Sequence, residues 1–292
     1  MPEAGPGPRA GMDPLMPPVE PASCWCGGRD YRKLFSAKGR RIARCVNCGQ
    51  VRALPVPELN LSSAEEYQRL AQYYTPFGDQ FRYYNRHFLN WVENEIGPER
   101  GRLLELGAGA GFLLEIARAG GWEPLGIEPS RIACNFINQE LGLQARPGFL
   151  ANAGLEPDSF QLVIMNHVLE HIGDLQDHLR EIRRVLRPGG WVAIAVPNFD
   201  CASRRLLRGW WPKLMPDQHV WQFEPETLNS LFNRFGFKTR KIYPHNDRIF
   251  DAQASFARRL KIKVWKAMRW FDGREKGENL YFLATKSEIF ES

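Results

Sequence analysis

Residues 103–113 read LLELGAGAGFL: an apolar run, one carboxylate, then Gly107, Gly109 and Gly111 at alternate positions. Glycine has no Cβ, so a chain of this kind can turn sharply and admit a close neighbour. The apolar run reads as a buried strand, and GFLLEIARAGG as the helix after it, closed by Gly120 and Gly121. Such turns follow strands in several kinds of nucleotide site, so the glycines alone leave the ligand open.

Downstream the alternation repeats. WEPLGIEPS is a second strand ending at Glu128, RIACNFINQELG a helix, FQLVIMNH a strand, DLQDHLREIRRVL a helix stopped by the RPGG turn, and WVAIAVPN another strand. Alternating β and α segments of this length predict a doubly wound parallel sheet of α/β class. Beyond Asn198 come a Trp-rich segment, CASRRLLRGWWPKLMPDQHVWQF, a helix PETLNSLFNRFG, a strand FKTRKIYP and a last strand NLYFLATK. Upstream, an aromatic-rich stretch reads as helical from an N-cap at Ser62 or Ser63 to the stop at Gly97-Pro98.

The carboxylates decide between ligands. A dinucleotide turn has the spacing G-x-G-x-x-G with small apolar residues before it. Here the spacing is G-x-G-x-G, and Glu105 lies two residues ahead of it. A carboxylate beside a diphosphate is repelled, whereas beside an ammonium and a sulfonium it is attracted. Glu128, 23 residues beyond Glu105, ends the next strand, where an acid can accept ribose hydroxyls. No G-K-[ST] follows the glycines, which excludes a P-loop. The combination favours S-adenosylmethionine (SAM) over a nicotinamide dinucleotide, the remaining alternative being an ordinary tight turn with a stray glutamate.

The stretch from 101 to about 200 resembles the class I SAM-dependent methyltransferases of the small-molecule group. LLELGAGAG, GIEPS, SFQLVIMNHVLEHIGD and EIRRVLRPGGWVAIAVPN follow the family's order and spacing, and HVWQFEPETLNSLFNRFGFK is similar to its region after the fifth strand. The resemblance implies a Rossmann-like sheet of seven strands whose last, NLYFLATK, is antiparallel. It also implies SAM contacts at Glu105, Gly107, Gly109, Glu128 and Asn166, with Gly111 completing the turn. Gln161 departs from the family, which has an aspartate after the Phe that opens the fourth strand; that position supports the turn more than the chemistry.

His167, Glu170 and His171 follow the fourth strand at spacings of three and four, which on a helix share one face. They suggest a general base or a metal site, or a carboxylate and ring that merely fix the loop. Ubiquinone-pathway O-methyltransferases, which this segment resembles, have acidic residues and a histidine linked with a divalent metal here, but carry a carboxylate at the position of His167. His219, in the Trp-rich loop over the catalytic end of the sheet, is a candidate general base for a hydroxyl. The aromatic stretch ahead of the first strand folds over the SAM pocket in the resembling enzymes. Tyr73, Tyr74 and Tyr83 are therefore candidate lid residues, unless they belong to a helix packed on the sheet.

Cys24-x-Cys26 and Cys45-x2-Cys48 are two close pairs, each followed by glycine. Four thiolates so arranged suit tetrahedral Zn²⁺ with no open position, a structural rather than catalytic metal. Cys134 and Cys201 remain as packed free thiols. The expected organisation is a disordered tail at 1–22, a zinc-binding module at 23–57, a helical lid or linker at 58–100, and a methyltransferase domain at 101–292 with insertions near 201–222 and 247–273.

The chain has 292 residues, 43% hydrophobic and 25% charged, which is ordinary for a soluble globular protein. The Pro- and Gly-rich N-terminus lacks the basic-then-apolar pattern of a secretory signal, so a cytoplasmic protein is expected. Residues 255–271 carry six basic residues and no acid, with apolar residues at helical spacing. They read as a helix lying either on an anionic membrane surface or on the enzyme's own sheet. The function these features suggest is methyl transfer from SAM to a hydroxyl, or to carbon or nitrogen, of a small-molecule or lipid-linked acceptor. RNA methylation is an alternative that zinc-bearing relatives raise and that the missing [DN]-P-P-[YFW] loop argues against; a catalytically silent SAM-binding scaffold is another.

Overall fold

Leu103 and Leu104 are both buried, yet they belong to different cores, because successive side chains of a strand face opposite sides. The same alternation continues through Leu162, Val163, Ile164 and Met165, so the central strands are apolar on both faces and must be covered on both. The computed structural model describes residues 23–57, 64–246 and 277–287, with backbone only over 64–77. The expected tail, the caps at Ser62 and Ser63, the side chains of Tyr73 and Tyr74, and the basic segment 255–271 lie outside what is described.

The main sheet is built from β4 (Arg102–Leu106), β5 (Glu123–Glu128), β6 (Gln144–Pro147), β7 (Phe160–Asn166), β8 (Leu186–Pro197), β10 (Phe237–His245) and β11 (Asn279–Lys286). Its order is β10-β11-β8-β7-β4-β5-β6. β4, β5, β6, β7 and β8 pair in parallel, and β11 pairs antiparallel with both neighbours. This is the expected seven-stranded, Rossmann-like α/β sheet with an antiparallel last strand. Helices α1 (Ala64–Ile96) and α2 (Phe112–Ala119) cover one face, through Phe88, Leu89, Val92, Leu113 and Ile116. Helix α3 (Arg131–Gln139) lies beside them. Helices α4 (Leu175–Val185) and α6 (Pro225–Arg234) cover the other, through Leu179, Ile182, Leu228 and Phe232. The described helices include none long and apolar enough to cross a membrane.

Two local features differ from the sequence pattern. β8 runs on through the RPGG segment, which is taken up as a bulge: Phe160 pairs with Leu186, and Leu162 with Trp191. No helix follows β7 directly; His167 adopts a left-handed φ of 58°, and a 3-10 turn over Leu169–His171 leads to α4, capped by Asp174.

The cysteine module is a second sheet, β1 (Tyr31–Ala37), β2 (Arg40–Cys45) and β3 (Val51–Leu54), whose fourth strand is β9 (Trp221–Gln222) from the region after β8. Val51 pairs with Gln222 and Arg52 with Trp221. Gln50 Nε2 donates to the Gln222 carbonyl at 2.9 Å, and Ala53 N–H to the Val220 carbonyl at 3.0 Å. Arg44 makes a two-pronged ion pair with Glu224, the N-cap of α6, both contacts at 2.7 Å. Arg52, 2% exposed, stacks 4.4 Å over the Trp221 ring, whose Nε1 donates to the Ile172 carbonyl at 2.6 Å.

Trp221 is thus a clamp, and removing it leaves a cavity beside a buried guanidinium that keeps only its bonds to the Ser23 carbonyl and the Tyr31 hydroxyl. Trp221→Ala should cost about 3–5 kcal/mol in urea unfolding. In the same segment, Trp210→Ala should stay within about 0.5 kcal/mol, because that ring stands in solvent.

Candidate functional site

The sheet order reverses between β4 and β7, the place where open α/β sheets hold ligands at the carboxyl ends of their strands. Three neighbouring strand tips carry the expected donor-binding side chains: Glu105 on β4, Glu128 on β5 and Asn166 on β7. Glu105 is 4% exposed, takes a backbone N–H from Leu114, and leaves Oε2 buried with no partner. Burial, and secondarily the charge of Glu128, push its pKa well above the carboxylate range. Glu128 accepts from Gly109 N–H at 2.9 Å and Ser130 N–H at 3.0 Å; burial also raises its pKa.

The glycines act differently from one another. Gly107 and Gly111 have φ of 73° and 77°. A Cβ on Gly107 would stand 2.5 Å from Val168 Cγ2, and one on Gly111 2.9 Å from Ile137 Cγ1, so protein side chains are their close neighbours. Gly109 supplies the N–H that meets Glu128. The turn therefore fits SAM through its chemistry: an unpartnered buried carboxylate oxygen suits an ammonium, and the second carboxylate suits ribose hydroxyls. The Asn166 amide donates to Asn85 Oδ1 of α1 at 2.8 Å, a partner that nothing in the sequence pattern announced. Tyr83 lies on α1 against Tyr84 and His87. Gln161 bonds the Glu99 carbonyl ahead of β4, the turn-supporting role expected of it.

The histidines gather beyond β7. His167 Nδ1 lies 3.2 Å from Glu170 Oε1. Glu170 is 1% exposed, and although burial pushes its pKa up, the bond with His167 and the adjacent rings bring it down to about 2. His171 holds the Gln218 carbonyl through Nδ1 at 3.1 Å, and its ring meets that of His219 edge-on at 4.8 Å. His219 is buried, its pKa lowered to about 4 by desolvation, and its Nδ1 has no partner. Ligand atoms of Glu170, His171 and His219 all lie within 4.8 Å of one another. The convergence of His219 with Glu170 comes from the β3–β9 pairing, which returns the Trp-rich loop to the sheet.

The cysteine cluster is closed. Cys24 Sγ lies 3.4 Å from Cys48 Sγ, and Cys26 Sγ 3.6 Å from Cys45 Sγ, with all four within 4.8 Å. Tetrahedral Zn²⁺ with bonds of about 2.3 Å sets its sulfurs roughly 3.8 Å apart, so this donor set fits the ion. The bond from Cys48 outweighs burial and lowers the Cys24 pKa to about 6. Cys134 and Cys201 are buried outside this cluster, beside the Glu128 carbonyl and the Ser203 hydroxyl respectively.

Residues 77–242, more than half of the chain, match the family described as a methyltransferase domain, and the chain belongs to that family. Among curated relatives, a ubiquinone biosynthesis O-methyltransferase of Aeromonas salmonicida is 34% identical over 120 residues, 38% of this chain and 49% of the relative. A tRNA U34 carboxymethyltransferase of Methylococcus capsulatus is 27% identical over 170 residues, 54% of this chain and 52% of the relative. The chain thus spans about half the length of the curated relatives it matches. Among solved structures, a chain of the complex of the Haloferax volcanii Trm112 methyltransferase activator is similar with a TM-score of 0.61 at 17% identity, covering 79% of this chain and 100% of that one. A SAM-dependent methyltransferase of Archaeoglobus fulgidus gives 0.54 at 19% identity, covering 73% and 100%. These last two show a shared fold.

Glu105→Gln should separate folding from binding. The raised pKa means that the ionised form costs stability. The stability of the protonated form is complete below the ordinary carboxylate pKa and lost as pH rises through the raised one. At neutral pH the variant should therefore melt higher without ligand, by about 2–4 °C for each kcal/mol relieved, and bind SAM more weakly. Wild-type SAM affinity should fall on acidification as Glu105 and Glu128, both with raised pKa values, take up protons, and should fall again in base as the ligand's ammonium loses its own, measured by calorimetry across pH.

Proposed function

We propose that the protein transfers the methyl group of SAM to a hydroxyl of a small-molecule or lipid-linked acceptor, carbon and nitrogen being the alternative acceptor atoms. The paired carboxylates at neighbouring strand tips carry this reading. Glu105 would face the ammonium of the donor, Glu128 its ribose hydroxyls, and Gly107, Gly109 and Gly111 would shape the turn around it. Asn166, tied to α1, would hold the helix over the donor. SAM supplies an electrophilic methyl on a sulfonium, and the protein's part is to align the acceptor with it and remove a proton.

His219 is the residue we assign to the proton. Burial keeps the ring neutral at pH 7, its Nδ1 is free to accept, and the Glu170 carboxylate beside it favours the imidazolium that would form. His167 positions that carboxylate, and His171 fixes the Gln218 carbonyl next to the base. The ubiquinone O-methyltransferase relative supports oxygen as the acceptor atom; the tRNA-modifying relative keeps RNA as the alternative substrate class. A second reading of the same cluster is a divalent cation on Glu170, His171 and His219, favoured by the two unpartnered ligand atoms. The four-cysteine module would hold a structural Zn²⁺, and the protein would work in the cytoplasm.

His219→Ala should lower turnover about 100-fold while leaving the SAM dissociation constant unchanged by calorimetry. Loss of both together would make His219 part of the donor site instead. Elemental analysis of protein purified without added metal should find one zinc per chain, lost in Cys45→Ser. Zinc retained by that variant would place the metal on the histidine cluster.

A further inference from the structure

The segment between β8 and β9 puts apolar side chains into solvent where nothing in the fold requires them. Leu206 is 71% exposed at the end of α5 (Ala202–Leu207), and Trp210 is 89% exposed in the 3-10 turn that follows. Beside them a groove of about 350 Å³ is walled by Trp211, Leu214, Met215 and Pro216 on one side and by Ala37 and Lys38 of the β1–β2 hairpin on the other. Gly209 brings the two walls together: a Cβ there would stand 3.2 Å from the Cβ of Ala37. Exposed apolar residues scattered singly are ordinary on protein surfaces, but a cluster against a groove marks a contact site.

The chain segments that form this cluster are net positive. Residues 36–41 and 200–217 together hold seven Lys and Arg and two Asp, a net +5 beside +6 for the whole chain. Both acids are engaged, Asp200 with Arg205 and Asp217 with Lys38 and Arg40. Arg208 is exposed and makes no ion pair among the described residues, and the Lys38 side chain is 63% exposed. The patch therefore combines a protruding indole, a protruding aliphatic chain, an aliphatic groove and the exposed cations Lys38 and Arg208.

We propose that this face docks on an anionic lipid bilayer, with Trp210 and Leu206 entering the boundary between headgroups and acyl chains and Lys38 and Arg208 lying at the level of the phosphates. Indole rings favour that boundary because one end is apolar and the other carries an N–H. Each Lys or Arg held near such a surface raises partitioning roughly fivefold. A nucleic acid would also satisfy the cations and stack on Trp210. It would find no use for Leu206 or for a groove of Leu214, Met215 and Pro216, which offer a base neither a plane nor a hydrogen bond. The surface belongs to the same loop that ends at His219, so the docking face and the candidate site are joined by about ten residues of chain. The inference stands whichever acceptor atom is methylated.

Flotation of the full chain with phosphatidylglycerol–phosphatidylcholine vesicles, and with phosphatidylcholine alone, tests it. The wild type should float with the anionic vesicles and much less with the neutral ones. Leu206→Ser with Trp210→Ala should cut the bound fraction at least about tenfold, and Lys38→Glu with Arg208→Glu should abolish it. All four side chains are exposed, so thermal melts should show each variant folded. No flotation of the wild type, or flotation undiminished in the Leu206 and Trp210 variant, would overturn the proposal. So would tight binding of single-stranded RNA that the same variants lose while vesicles are ignored, which would assign the face to nucleic acid.

Discussion

Two carboxylates of like charge are buried at adjacent strand tips, and the rest of the candidate site is arranged around that strain. Glu105 and Glu128 sit on neighbouring parallel strands; burial raises the cost of ionising both, and the charge of Glu128 adds to it for Glu105. A fold under no functional demand would replace one of them with an apolar or amide side chain, since unpaired buried charge is among the costliest features a core can carry. Backbone N–H groups from Gly109, Ser130 and Leu114 offset part of the cost. The remainder is relieved by a ligand that brings positive charge and hydroxyl donors and no phosphate, which gives the pair a physical reason to exist.

A second dependence runs through β9. This two-residue strand closes the cysteine sheet, places Trp221 under Arg52, and holds the segment that delivers His219 to Glu170. The cysteine module is therefore an integral wall of the fold rather than an appendage. A metal on its four sulfurs would brace β2 and β3, and through β3 the loop that carries the candidate base. The four-cysteine cluster and the carboxyl end of the parallel strands are thus linked by backbone pairing.

Much of this was legible from the chain. The alternation of apolar segments with helices gave a doubly wound parallel sheet, though not its strand order, because strands covered on both faces have few other ways to look. Glu105 and Glu128 were legible because a carboxylate at the end of an apolar strand is chemically out of place, and Cys24, Cys26, Cys45 and Cys48 because paired thiols have few uses. Other features leave no local trace. The close neighbours of Gly107 and Gly111 are Val168 and Ile137, which only tertiary packing brings there. The Asn85–Asn166 bond joins residues far apart in the chain, with no periodicity to flag it. β9 is too short to carry a strand pattern, so the fusion of the two sheets, and with it the meeting of His219 and Glu170, was invisible. His167 was expected on a helix and instead turns left-handed, a change made locally at the strand end to aim its ring at Glu170.

The central claim is that the two acidic strand tips select a positively charged, phosphate-free nucleoside. Calorimetric titration of the purified full chain with SAM, S-adenosylhomocysteine and NADH at neutral pH measures it most directly. The account predicts saturable binding of SAM and of its demethylated product, and no heat from the dinucleotide. Binding of NADH with no response to either of the other two would contradict it.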